Sequence, residues 1–111
     1  MVKNFSEGRF PNMDALHTPE VKRFYRSILD LKTEQDCANF FEDICTIKEL
    51  QDIAQRLEVA FMLHEGKNYQ EISLLTGAST ATISRVKKCL VYGSGGYRNA
   101  VESAMERGEI K

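Results

Sequence analysis

From Ile47 to Glu65 the chain carries neither glycine nor proline, and its apolar residues return every three or four positions. Ile47, Leu50, Ile53, Ala54, Leu57, Ala60, Phe61 and His64 keep one face, and Val59, Met62 and Leu63 widen it. That period belongs to a helix and not to a strand. Thr46 and Glu49 have capping-box spacing at its start, and Gly66 suits its stop. A helix this long with so wide an apolar face needs other helices to cover it, which constrains the rest of the chain.

Helix signals recur on both sides. Thr18-Pro19-Glu20 offers a cap, a proline suited to the first helical position and an acid for the positive helix end. Val21, Phe24, Tyr25, Ile28 and Leu29 then keep helical spacing, so a helix is expected to about Leu31. Thr33 caps a second helix, with Cys37, Phe40, Phe41 and Ile44 as its apolar stripe. Beyond Gly66 two short helices are expected, about Tyr69–Leu75 and Ser79–Val91, broken at Thr76-Gly77-Ala78. Gly93-Ser94-Gly95-Gly96 reads as a flexible link. A last helix, about Tyr97–Arg107, keeps Tyr97, Ala100, Val101, Ala104 and Met105 on one side. No segment alternates with period two for long enough to make a strand, so the fold class is all-α with six helices. Residues 1–17 hold Gly8, Pro11 and Asn12 without a sustained period and read as an N-terminal arm. Residues 18–111 then form the domain. Its first two helices and the long central one carry more apolar face than short helices of a 111-residue monomer would cover. A homodimer is therefore expected, the alternative being that the helices pack on each other within one chain.

Composition removes several function classes. The net charge is −1, which argues against indiscriminate nucleic-acid binding but leaves room for a local basic face. From Lys67 to Arg98 the bases are Lys67, Arg85, Lys87, Lys88 and Arg98, against the single acid Glu71. Between Glu34 and Glu58 the balance is reversed, with only Lys48 and Arg56 as bases. Cys37, Cys45 and Cys89 lack zinc-ligand spacing and read as small buried thiols, so no metal is expected. No apolar run could span a bilayer and no leader-like segment opens the chain, which points to the cytoplasm. No nucleophile, base and orienting group cluster in the sequence. His17 and His64 stand apart from the serines, and His64 reads as a partly buried residue at a helix end. An enzyme is not expected.

The segment from Tyr69 to Leu90 carries the function. Two helices locked at a wide angle need a small residue where they approach, a glycine in the turn and apolar residues inside. Counted from Tyr69, Ile72 and Ser73 are fourth and fifth, Gly77 and Ala78 ninth and tenth, and Ile83 and Val86 fifteenth and eighteenth. This is the register of a helix-turn-helix. The second helix then turns Ser79, Thr80, Ala81, Thr82 and Ser84 outward. These side chains are short enough to approach base edges, and threonine methyls suit thymine methyls. Arg85, Lys87 and Lys88 follow without an acid and suit backbone phosphates. Double-stranded DNA is the expected partner. The alternative is a helical protein–protein interaction module in which Ser79–Thr82 merely cap a surface helix.

The run Gly77-Ala78-Ser79-Thr80-Ala81-Thr82-Ile83-Ser84-Arg85 resembles the recognition segment of the tryptophan-repressor family. With Gln55-Arg56-Leu57-Glu58-Val59-Ala60 it resembles the YerC/YecD-type branch still more, and the similarity spans about Leu29 to Val101. The resemblance implies an intertwined all-α homodimer and a transcriptional repressor gripping a palindromic operator, with half-sites about 34 Å apart or a multiple of that. It implies that Gln70 and Ser73 reach DNA from the first motif helix. Thr80, Ala81 and Ser84 match base-facing positions, and Thr82, Lys87 and Lys88 match positions near phosphate.

The same resemblance bears on a corepressor. Arg56 and Arg85 match the arginines that flank the indole of bound tryptophan, and Thr46 matches a threonine near that ligand. Two positions depart from the pattern. Val86 stands where the family has glycine, and Cys89 stands where a serine helps hold the ligand's amino group. A branched side chain takes up space an indole needs, and a thiol is a poor partner for an ammonium. The residues themselves leave three alternatives: tryptophan, another small ligand, or no cofactor at all. In the last, Arg56 pairs with acids such as Glu49 or Glu58 and Arg85 binds phosphate.

Overall fold

A computed structural model describes residues 13–111. Most of the arm expected over residues 1–17 lies outside the described residues. Its last part, Met13–His17, forms a 3-10 helix. Six α-helices follow: α1 (Pro19–Leu29), α2 (Glu34–Ile44), α3 (Ile47–His64), α4 (Tyr69–Thr76), α5 (Thr80–Tyr92) and α6 (Gly96–Glu106). The described residues contain no strand. Among them no helix is long and apolar enough to cross a membrane.

The caps written in the sequence form as expected. The Thr18 hydroxyl accepts the Val21 N–H at 3.3 Å and starts α1. The Thr33 hydroxyl accepts the Asp36 N–H at 3.0 Å, and Asp36 in turn accepts the Lys32 N–H at 3.1 Å. At α3 both halves of the Thr46–Glu49 box are made, at 3.0 and 2.8 Å. Gly66 ends α3 with φ 88°, a value that favours glycine. Its N–H donates to the Leu63 carbonyl and that of Lys67 to the Met62 carbonyl, closing a Schellman motif. α1 stops before the expected Leu31. The N–H groups of Asp30 and Leu31 turn back to the carbonyls of Ser27 and Ile28, a tightening by i→i+3 bonds that ends the helix.

The chain divides into two compact units, one ending at Ile44 and one beginning at Cys45. In the first, the Phe24 and Phe40 rings stack with centroids 6.1 Å apart, and Phe41 meets Phe40 edge-on at 5.2 Å. Neither α1 nor α2 buries a residue completely. The second unit holds the core. Val59 and Ala60 of α3, Ile72 of α4, Ala78 of the turn, and Ile83 and Val86 of α5 form one buried cluster. Val101 and Ala104 of α6 are also buried. Each of the four larger buried aliphatic side chains contributes about 1.5–3 kcal/mol of apolar transfer. This cluster is what holds α4 and α5 on α3.

Three expectations need correction. The cysteines are not buried thiols: Cys37 is exposed, and Cys45 and Cys89 are half-buried. His64 is exposed: Met62 and Leu63 of the same turn pack against the core cluster, and His64 is the final residue of α3 beyond them. The link expected over Gly93–Gly96 is shorter, Gly93–Gly95. Gly93 closes α5 through its N–H on the Cys89 carbonyl at 2.7 Å, and α6 starts at Gly96 itself.

Candidate nucleic-acid interface

α4 begins at a cap of its own. Asn68 accepts the Glu71 N–H at 2.9 Å while Glu71 accepts the Asn68 N–H at 3.0 Å. α4 ends at Gly77, whose φ of 79° lies in the left-handed region. The Gly77 N–H reaches the Ser73 carbonyl at 2.8 Å. The Thr76 hydroxyl donates to the Ile72 carbonyl at 2.7 Å and accepts the Ala78 N–H at 3.1 Å. Ala78 is buried, Ser73 is half-buried, and Ile72, Ile83 and Val86 lie inside. The register counted from Tyr69 is thus the register of the folded motif.

Ser79 caps α5. Its oxygen accepts the Thr82 N–H at 3.1 Å, and its hydroxyl donates to Thr82 Oγ1 at 3.1 Å. Thr82 is half-buried, and Ser79 already uses its hydroxyl on the cap. Thr80, Ala81, Ser84, Arg85, Lys87 and Lys88 are all exposed. On a helix advancing about 100° per residue they share one side, opposite Val86. Among the described residues none of the three bases is in an ion pair. Gln70, Ser73 and Thr80, with Tyr69 and Leu74, line one open cleft of about 340 Å³ between α4 and the start of α5. Gln70 and Ser73 of α4 and Thr80 of α5 therefore meet at one cleft. A helix N-terminus without acids, followed by free cations, suits a polyanion.

The three expected ligand residues are not all brought together. Thr46 is exposed and its hydroxyl is spent on the α3 cap. It lies ten residues before Arg56, about 15 Å along the helix axis. Arg56 makes no ion pair with Glu49 or Glu58 among the described residues, and Glu49 serves the cap. Arg56 instead lies near Tyr97, the second residue of α6. Burial pushes the Tyr97 phenol up, and Cys89 adds to this, while the nearby charges of Arg56 and Arg85 pull it down. Both arginines thus lie near a phenol of the protein's own, which also packs against the core cluster. Val86, at 1% exposure, is part of that cluster.

The sequence profile of the Trp repressor protein family matches residues 19–105. The chain belongs to the Trp repressor family. Within that family it is 52% identical to the uncharacterized protein YerC of Bacillus subtilis (strain 168) over 94 residues, which is 85% of this chain and 90% of YerC. A TrpR-like protein from Eubacterium eligens ATCC 27750 superimposes with a TM-score of 0.80 at 43% identity, covering 88% of this chain and 98% of that one. A candidate Trp repressor from Staphylococcus aureus gives 0.79 at 37% identity, covering 90% and 96%. The six-helix fold is thus that of Trp repressor-like proteins.

Two residues at this Trp repressor-like motif escape a reading of the sequence for function. Tyr97 is legible as an apolar-face residue but not as a partner of Arg56, since the two are far apart in the chain. Gln55 is legible within the Gln55–Ala60 run but not in its contact with the turn at Thr76.

Proposed function

We propose that this protein is a sequence-specific DNA-binding transcriptional regulator, a repressor, that grips a palindromic operator as a homodimer and needs no tryptophan to do so. The observation that carries the reading is the exposed side of α5. Short Thr80, Ala81 and Ser84 stand beside Arg85, Lys87 and Lys88 on a helix whose other side is locked by Ile83 and Val86. In this reading Gln70, Ser73, Thr80, Ala81 and Ser84 approach base edges. The Ser79 and Thr82 end of the helix, Arg85, Lys87 and Lys88 hold phosphate.

The dimer is supported by apolar surface that the chain leaves uncovered. Leu29 and Ile47 are each 79% exposed, and Tyr25, Ile44 and Ile53 are also open. Residues 18–111 would form the working domain and a second copy would cover these faces. Tryptophan is disfavoured because Val86 is packed solid and because Arg56 already has an aromatic neighbour in Tyr97.

Selection of bound duplexes from a random pool, with and without amino acids, tests the reading. The expected product is a two-fold symmetric site, enriched equally in both arms. Absence of any retained duplex at low salt would favour an interaction module. Calorimetry of the protein with free tryptophan should show no heat of binding. Micromolar binding that raises operator affinity would overturn the ligand-free reading.

A further inference from the structure

The Gln55 side chain makes a polar contact between α3 and the turn of the motif. Its Nε2 donates to the Thr76 carbonyl at 3.0 Å, across 21 residues of sequence, and the side chain is half-buried. Thr76 is the last residue of α4, and its carbonyl is among those a helix end leaves without an internal partner. A Cβ placed on Gly77 would stand 3.9 Å from the same Nε2, so the Gln55 amide lies directly against the turn.

The other ties in this region differ in kind. Val59 and Ala60 meet Ile72, Ala78, Ile83 and Val86 through apolar contact. Such contact holds helices together but is non-directional, so it tolerates small slides and rotations. A hydrogen bond falls off steeply with distance and angle, and so fixes a register. Gln55 lies one helical turn before Val59 on the same face of α3. The turn it grips is itself rigid. Thr76 bonds Ile72 and Ala78, and Gly77 bonds Ser73. A pull on the Thr76 carbonyl is therefore passed to Ala78 and on to the start of α5 at Ser79.

We propose that Gln55 is a positioning residue for the reading helix: through the Thr76 carbonyl it sets the placement of α5 on α3 without touching DNA. This rests on the DNA-binding reading above. Gln55 acts on the fit of base contacts, which need closely defined geometry, and not on phosphate attraction, which is long-ranged.

The test uses Gln55→Met, which keeps length and helix preference and removes the donor. Affinity is measured for the selected operator and for a scrambled duplex, across a salt series. The ratio of the two affinities should fall about 10-fold, the order of one lost base contact, with scrambled-duplex affinity and salt slope unchanged. An unchanged ratio in a folded variant overturns the proposal. If the wild-type protein itself shows no preference between duplexes, the DNA reading fails instead, and positioning is judged by amide exchange. The Gly77 and Ala78 N–H groups should then exchange about 10-fold faster in Gln55→Met, as a loosened turn opens locally. Equal rates overturn the proposal. Should the variant not fold, the wild type carries the test: one Gln55 side-chain proton should exchange more slowly than a free amide, and exchange at the free rate overturns it.

Discussion

Arg98 Nη2 donates to the Leu90 carbonyl at 3.1 Å and to the Val91 carbonyl at 3.0 Å, so the first turn of α6 caps the last turn of α5. Those carbonyls belong to the end of α5, where a cation also meets the negative helix terminus. Arg98→Ala should destabilise the fold by about 1 kcal/mol, below the roughly 1.5–3 kcal/mol of charged hydrogen bonds because Arg98 is exposed. For a chain of this size that lowers Tm by about 4–8 °C. Arg98→Lys should recover only part, since one ammonium replaces a planar fork. A thermal melt of Arg98→Ala superimposable on wild type would count against the cap.

The basic residues of α5 should act on DNA without regard to sequence. Lys87→Ala and Lys88→Ala should weaken all duplexes about equally and each lower the slope of log affinity against log salt by about 1. Thr80→Ala and Ala81→Gln should instead change which duplexes are preferred, with the slope kept. Titrations across salt on operator and scrambled duplexes separate the two effects. A Lys87→Ala protein with wild-type slope would remove that lysine from the phosphate contacts.

Local signals account for what was legible. Thr18, Thr33 and Thr46 cap their helices because the hydroxyl and the N–H it accepts are three residues apart, a relation visible in any sequence. The Asn68–Glu71 box has the same spacing. The inner positions Ile72, Ile83 and Val86 were legible because a rigid two-helix motif fixes their offsets. What stayed hidden is long-range and polar. Gln55 reaches Thr76 across 21 residues, and Arg56 finds Tyr97 on another helix. Neither partner can be picked by type, since each region offers several acceptors. The exposure of Cys37 and His64 was hidden for a related reason: an apolar face says which side is covered only once its neighbour is known.

Phe41 offers a test of the shared core. Its ring meets Phe40 edge-on and is half-buried. If a second copy completes the burial, Phe41→Ala should cost about 3–5 kcal/mol, the range for a buried ring. A ring left half in water would cost roughly half as much. The wild-type melting temperature should also rise with protein concentration, as for any fold stabilised by association. A concentration-independent melt with a monomeric mass by light scattering would contradict the homodimer.

Tyr97 makes a prediction about pH. Its phenol is held above the usual 10.0 by burial, against the opposing pull of Arg56. The folded protein therefore binds this proton more tightly than the unfolded chain does. Stability from this source is complete below about pH 9 and is lost as pH rises through about 10 toward the higher folded value. Tyr97→Phe keeps the ring and removes the proton. The difference in urea midpoint between wild type and Tyr97→Phe should thus be constant from neutral pH to about pH 9 and then move against the wild type. Comparison with the variant cancels the other tyrosines and the lysines, which titrate in the same range. Parallel midpoints to about pH 11 would mean that the phenol is solvated like a free one.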